Sequence, residues 1–259
     1  MLVIGEKINV MSKTIGPAIK ERDPVPIREA ATEQAEAGAE MLDLNLGPAT
    51  RGGPEMMEWL VNTVQDAVDV RLCLDTTNVE AIEAGLRACR KRPMINSTSA
   101  ERARLERLMP LAAQYEADII GLAMTEAGVS RDCGERVAAA AEIMAAAQEF
   151  GVPLDRVYLD PLLLPVCVAQ QQATEALEAI RLFKQLSEPQ MKTVVGLSNI
   201  YNGCPPEVRT PLAAAYAVML AQAGLDAMIA DPLDEGLTAA LKSMRILSNE
   251  TLYCHSYLQ

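Results

Sequence analysis

The chain has 259 residues, half of them hydrophobic and 22% charged, with fifteen glycines and fifteen prolines. That composition describes a soluble globular protein, and the length suits two small domains or one large α/β barrel. A formal charge of −12 repels nucleic acid and anionic membrane surfaces, which argues against either as the principal partner.

The opening "MLVIGEKINV" lacks the charged n-region and long apolar stretch of a secretory signal, and its apolar residues 2–8 predict the first strand. Asp23 followed by Pro24 then reads as an N-cap with a proline at the first helical position, and Gly38 as a left-handed helix end. Further apolar runs predict strands at 41–47, 71–76 and 93–97. Ser97 and Ser99 are cap candidates for the helix in which Leu105, Leu108, Met109 and Ala112 recur at helical spacing. A fifth strand is expected at 118–125. Asp132 with Glu135 then resembles a capping box ahead of the alanine-rich "RVAAAAEIMAAAQEFG", closed by Gly151. Strands at 156–163 and 192–198 follow. Thr210–Pro211 is expected to open the helix "LAAAYAVMLAQAG", which Gly224 closes before the last strand, 227–231.

Most of the eight runs are continuously apolar, as parallel strands buried on both faces require. Eight strand–loop–helix–turn units in this length predict a (β/α)8 TIM barrel forming a single domain over residues 1–259. A doubly wound open sheet is the competing arrangement, but "GEKINVMSK" after the first strand has no GxGxxG phosphate loop. No run approaches the ~20 apolar residues of a membrane span. Cys73, Cys89, Cys133, Cys167, Cys204 and Cys254 are scattered without a CxxC pair. They suggest neither a zinc centre nor a disulfide framework, and fit a reducing cytoplasm. The one histidine, His255, lies five residues from the end, outside any metal or catalytic pattern. Alanine- and methionine-rich helices with broad apolar surface suggest a homodimer.

In such a barrel the C-terminal strand ends converge on the face that carries chemistry. Those ends bring Glu6 and Asn9, Asp43 and Asn45, Asp75, Asn96, Asp160, Ser198 and Asn199, and Asp231. Groups of this kind also cap helices, as Asn78 and Ser99 are placed to do. Capping explains the set poorly, because Asp75, Asn96, Asp160 and Asn199 lie within or directly after the apolar runs. If such groups are buried without partners, a ligand or ordered water must satisfy them. Asp and Asn together match a flat heterocycle with ring N–H, amino and carbonyl groups. Phosphate would call for Arg, Lys or glycine-rich amides. A catalytic metal would call for converging carboxylates or histidines without interleaved carboxamides, so no metal ligands are assigned.

"GEKIN", "DLNLGP", "LCLDTTN", "MINSTS", "DPLLLP" and "GLSN" stand in order at strand ends. On these motifs the chain resembles the methyltetrahydrofolate:corrinoid methyltransferases of the pterin-binding barrel group, from Leu2 to the tail. It is similar to the folate-binding module of cobalamin-dependent methionine synthase and, more distantly, to dihydropteroate synthase. No Lys/Arg-rich loop is placed to bind a pterin pyrophosphate, as the latter would need. The resemblance implies methyl transfer between N5 of tetrahydrofolate and the cobalt of a corrinoid held by a partner corrinoid protein. It implies that Asp75, Asn96 and Asp160 hydrogen-bond the pterin ring, and that Asn199 lies near N5, with Gly196 and Ser198 on the same wall. It places further contacts at Asn202 and Arg209. "NIYNGCPPEVR" departs from the family's usual loop there, and Arg209 is equally suited to the folate's benzoyl-glutamate tail or to a pairing with Glu207 or a helix terminus. A corrinoid-binding DxHxxG motif is lacking, so the corrinoid is expected on the partner. A dihydropteroate synthase-like enzyme and a non-catalytic folate-binding module are the alternatives.

Overall fold

The predicted apolar runs become the staves of one closed parallel barrel in the computed structural model, which describes residues 1–49, 51–126, 128–129 and 131–255. In chain order the elements are β1 (Leu2–Asn9), α1 (Ile15–Glu21), α2 (Pro24–Glu36), β2 (Met41–Gly47), α3 (Gly53–Gln65), β3 (Arg71–Thr76), α4 (Val79–Ala88), β4 (Met94–Ser99) and α5 (Arg102–Gln114). Then come β5 (Asp118–Leu122), a small hairpin of β6 (Met124–Thr125) and β7 (Gly128–Val129), α6 (Cys133–Glu149), β8 (Val157–Asp160), α7 (Val166–Ala169), α8 (Gln172–Phe183), β9 (Lys192–Gly196), α9 (Pro206–Ala223), β10 (Ala227–Ala230) and α10 (Glu235–Leu247). Around the barrel the order is β1-β10-β9-β8-β5-β4-β3-β2, so each stave neighbours the next in the chain. This is the expected (β/α)8 architecture. Among the described residues no helix is long and apolar enough to cross a membrane.

Local signals account for several boundaries. Asp23 accepts from the Val25 N–H at 3.0 Å, with Pro24 at the first helical position. Asn78 caps α4 through the Ala81 N–H at 2.9 Å, and Asp132 caps α6 through the N–H groups of Gly134 and Glu135. Gly38, Gly151 and Gly224 take φ of 97°, 77° and 104° at helix ends, where a side chain would be strained.

Other expectations are corrected. The fifth run does not continue to Thr125: β5 stops at Leu122 and the chain turns into the β6–β7 hairpin. The sixth begins after a 3₁₀ turn and ends at Asp160, because "PLLLP" cannot donate continuously to a ladder. The seventh ends at Gly196, and Ser198 and Asn199 lie on a 3₁₀ turn, Leu197–Tyr201, rather than in the strand. Ser97 and Ser99 belong to β4, and α5 starts after Glu101 without a side-chain cap. Thr210–Pro211 does not start α9, which begins five residues earlier at Pro206. Thr210 instead donates to Asp234, the cap of α10, at 2.7 Å.

The barrel interior has two successive layers. Ile4, Met41, Cys73, Met94, Ile120, Tyr158, Val194 and Ala227, one from each stave, form an apolar layer. Strand side chains alternate, so the residue two further along points the same way. Those residues are Glu6, Asp43, Asp75, Asn96, Leu122, Asp160, Gly196 and Ile229. Four of the eight are carboxylic acids.

Candidate active site

Lateral register aligns parts of this polar level, Leu122 of β5 with Asp160 of β8 for example, while Asp43 of β2 lies level with Cys73. Asn45 of β2 pairs with Asp75 of β3, and Asp75 with Asn96 of β4. Three strands carry an irregularity at this level. In β1 the register against β2 shifts between Gly5 and Ile8, and the Lys7 N–H freed from the ladder donates instead to Gln34 Oε1 of α2 at 2.9 Å. Gln34 is fully buried and needs Gly5: a Cβ there would stand 2.5 Å from its Oε1. In β2 the Asn45 side chain accepts from the Gly47 N–H at 2.9 Å across a similar shift. The third shift lies in β4 between Ile95 and Thr98. Bulges of this kind re-aim side chains at barrel rims.

The expectation that the mouth groups lack partners is corrected: they answer one another. Asn45 Nδ2 donates to Asp75, Asn96 Nδ2 donates to Asp43 Oδ1 at 3.0 Å, Asp160 Oδ1 accepts from the Leu162 N–H at 2.7 Å, and Glu6 is hydrogen-bonded by Ser198. These direct partners are neutral. Burial therefore dominates the protonation of the acids. It pushes Glu6 up to about 7 against the Ser198 hydrogen bond. It pushes Asp160 up to about 7 against the Leu162 N–H and the charge of Arg136. Asp75 rises to about 6, and Asp43, between burial and the neighbouring Asp75, lies well above the carboxylate range. Such a layer holds protons near neutrality and presents strong acceptors once they leave.

Of the sequence-chosen residues, Asp75, Asn96, Asp160 and Gly196 stand in the layer itself, with Ser198 reaching it through Glu6. Asn199 sits just above on the 3₁₀ turn. Its Oδ1 accepts from Asn202 Nδ2 at 3.2 Å, and its Nδ2 lies where a Cβ on residue 196 would stand 3.0 Å away. Gly196 thus gives the carboxamide room to lie against the strand. Asn202 is exposed on the same loop. Arg209 Nε donates to the Cys204 carbonyl at 3.0 Å, tying the loop to the start of α9, and among the described residues it forms no ion pair with Glu207. Beside the layer, a cavity of about 220 Å³ is lined by Asp75, Asn96, Ser97, Arg104 and Met124 among others. Asp231, beyond the layer, pairs with Lys7 at 2.7 Å.

Glu6, Asp43 and Asn45 lie at strand ends that the sequence exposes, but their pairing needs the lateral register. Arg136 gave no such signal. It looks like a solvated charge in an alanine-rich helix, yet it is fully buried. Its Nη2 donates to Gln172 Oε1 at 2.9 Å, while Nε and Nη1 have no hydrogen-bond partner among the described residues. Its charge acts on Asp160 from the first turn of α6.

Comparison with known proteins agrees with this geometry. A methylcorrinoid:tetrahydrofolate methyltransferase of Eubacterium limosum is 26% identical over 99% of this chain and 94% of its own length. The methionine synthase of Mycobacterium leprae is 28% identical over 88% of this chain, which spans 20% of that larger protein. Two dihydropteroate synthases share the fold. The crystal structure from Vibrio fischeri ES114 has a TM-score of 0.72 at 17% identity, covering 97% of this chain and 94% of its own. The structure from Coxiella burnetii in complex with pteroic acid has a TM-score of 0.73 at 14% identity, covering 96% and 94%. The profile of the pterin binding enzymes matches residues 6–231, most of the barrel, and the chain belongs to that family.

Proposed function

We propose that the protein is a methyltransferase that moves a methyl group between N5 of tetrahydrofolate and the cobalt of a corrinoid carried by a partner protein. The observation that carries this reading is a buried layer of carboxylic acids whose direct partners are neutral, in a chain similar along nearly its whole length to a methylcorrinoid:tetrahydrofolate methyltransferase. A pterin brings a row of amide and amino N–H groups, and Asp160, Asp75 and Asn96 are suited to accept and donate along its edge. Asp160 binds it as the carboxylate, giving up the proton that burial otherwise retains.

Demethylating a tertiary amine needs positive charge or strong hydrogen bonding at N5, because the neutral amine leaves poorly. Asn199 serves this step without committing to one charge state. Its oxygen accepts from protonated N5, and its NH2 group donates to the lone pair left when the methyl departs. An aspartate would hold the cation too tightly before transfer, and a lysine would repel it. To act so, Asn199 exchanges its contact with Asn202 for the folate, while Ser198 and Gly196 form the wall behind it. Asn202 and Arg209 provide further contacts from the loop. The corrinoid supplies the nucleophilic cobalt. The chain's own task is positioning and electrostatic stabilisation rather than covalent catalysis.

The rim suits a docking partner. Met11 after β1, Val168 in α7 and Leu233 after β10 are 85%, 82% and 41% exposed around the mouth, an apolar fringe that a corrinoid protein would cover. The remaining surface supports a homodimer through Ala215 and Met219 of α9 and the exposed alanines of α6, and light scattering at micromolar concentration would report it. The setting is cytoplasmic, where folate and reduced corrinoid proteins meet.

Incubation with methyltetrahydrofolate and free cob(I)alamin tests the reaction. Conversion to the methylcobalamin spectrum is expected. Tight folate binding without conversion would instead identify a non-catalytic module, and condensation of a dihydropterin pyrophosphate with p-aminobenzoate would identify a dihydropteroate synthase.

A further inference from the structure

Two cysteines with no part in pterin binding meet at the rim of the site. Cys167 stands exposed in α7, on the loop that follows Asp160. Cys204 stands two residues beyond Asn202, on the loop that carries Asn199, and is 6% exposed. The Cys167 thiol donates to the Asn202 carbonyl at 3.2 Å. The Cys204 side chain adjoins Cys167, whose thiol and backbone N–H both act on its ionisation. Gly203, at φ +78°, lets the loop wrap this close: a Cβ there would stand 3.3 Å from the Cys167 sulfur. The other four cysteines lie elsewhere, Cys73 in the barrel interior, Cys89 and Cys133 half-buried in the helical layer, and Cys254 in the tail.

We propose that Cys167 and Cys204 form a dithiol modification site for low-molecular-weight disulfides, closing to a Cys167–Cys204 bond that staples the loop after β8 to the loop after β9. In the first exchange the exposed Cys167 thiolate attacks one sulfur of a disulfide RSSR. A Cys167–S–S–R bond forms, RS⁻ leaves, and it takes up the proton that Cys167 gave to solvent. In the second, deprotonated Cys204 attacks the Cys167 sulfur, the protein disulfide forms, and a second RS⁻ leaves to be protonated. Two protein thiols are oxidised and one RSSR is reduced to two RSH. Exposure makes Cys167 the first to react. Burial, and then the adjoining Cys167 thiol, hold Cys204 above the usual thiol range, so it resolves the mixed disulfide rather than starting the exchange.

The consequence for turnover rests on the proposed methyl transfer. A staple next to Asn202 holds Asn199 in its present contact with Asn202 and hinders its move to N5, while Asp75, Asn96 and Asp160 stay accessible. The full-length protein is treated with oxidised glutathione, and its mass, cross-linked peptides and methyl-transfer rate are read. Wild type is expected to yield a linked 167–204 peptide pair two hydrogens lighter than the reduced pair, and to slow by about tenfold in single turnover, recovering on reduction. Cys204→Ser is expected to stop at one glutathione adduct on Cys167, and Cys167→Ser to leave Cys204 unmodified; both variants keep their rate within about twofold after thiol reduction. A link to another cysteine, no link at all, or an adduct on Cys204 in Cys167→Ser would overturn the site. A linked wild type with an unchanged rate would overturn the staple's effect. Absence of methyl transfer in the reduced protein counts against the proposed reaction alone, since the cross-link map decides the site without it.

Discussion

At the N-terminal end of the barrel, Asp118 pairs with Arg71 and lies 3.7 Å from Arg92, and Asp226 is held by Lys184 together with the N–H and hydroxyl of Thr193. At the C-terminal end, Glu6, Asp43, Asp75 and Asp160 meet Ser198, Asn96, Asn45 and the Leu162 N–H. Carboxylates are thus neutralised by cations at one end, while at the other Glu6, Asp43, Asp75 and Asp160 are left to amides, a hydroxyl and their own protons, and Asp231 at the rim keeps Lys7. An acid beside its cation spends its charge within the fold, although Asp118 Oδ1 has no hydrogen-bond partner among the described residues and Asp226 is half-buried. A buried acid among neutral groups keeps acceptor capacity for a ligand rich in N–H groups. The difference distinguishes the ion-paired end from the end proposed to take the pterin.

The largest expected effect comes from breaking the ion-paired end. Arg71→Met leaves Asp118 buried beside the more distant Arg92 and should cost about 3 kcal/mol, or roughly 6–12 °C in melting temperature, while tetrahydrofolate affinity of the folded fraction stays unchanged. Scanning calorimetry with a parallel folate titration checks both halves. At the mouth the outcome should invert. Asp160→Asn keeps an acceptor for the Leu162 N–H but sets a donor against the pterin, and should lose about 1.5–3 kcal/mol of binding, ten- to a hundredfold in affinity. Its melting temperature should hold or rise, because a neutral isostere removes the cost of burying the acid.

The fold was legible where physics is local. Parallel strands buried on both faces leave apolar runs, and in β2, β3, β4 and β8 the first Asp or Asn of the run marks the polar layer, as Cys73 then Asp75 and Met94 then Asn96 show. Strand ends were less legible. Gly196 stops β9, and Ser198 and Asn199 pass to a 3₁₀ turn that the apolar pattern does not mark. The pairing of Asn45 with Asp75 and of Asp43 with Asn96 depends on register between staves, which a single strand does not encode. Arg136 was hidden for a related reason. Its burial comes from Gln172 and the neighbouring helices rather than from its own sequence, in which three of four following residues are alanine.

Protonation sharpens the contrast between the ends further. The mouth acids hold protons more tightly folded than unfolded. Their contribution to stability is complete below about pH 4, where both states are protonated, and is lost as pH rises through about 6 to 7. The ligand-free protein should therefore melt progressively lower between about pH 4 and 7, and Asp160→Asn should flatten part of that slope. A flat profile in wild type would remove the unneutralised layer from the explanation.

A smaller effect is expected at Asn199, whose role concerns one hydrogen bond. Asn199→Ala should reduce folate affinity and single-turnover methyl transfer by about five- to tenfold each, with little change in melting temperature. If the residue only caps its loop, thermal stability falls and the rate in the folded protein remains near wild type.

The central claim is that the mouth acids surrender protons to take a pterin, and calorimetric titration of tetrahydrofolate in buffers of differing ionisation heat measures this directly. At pH 7, wild type should release on the order of half a proton from Asp160 per folate bound, and Asp160→Asn should lose that share together with its affinity. Equal affinity and equal proton release in the two proteins would contradict the account.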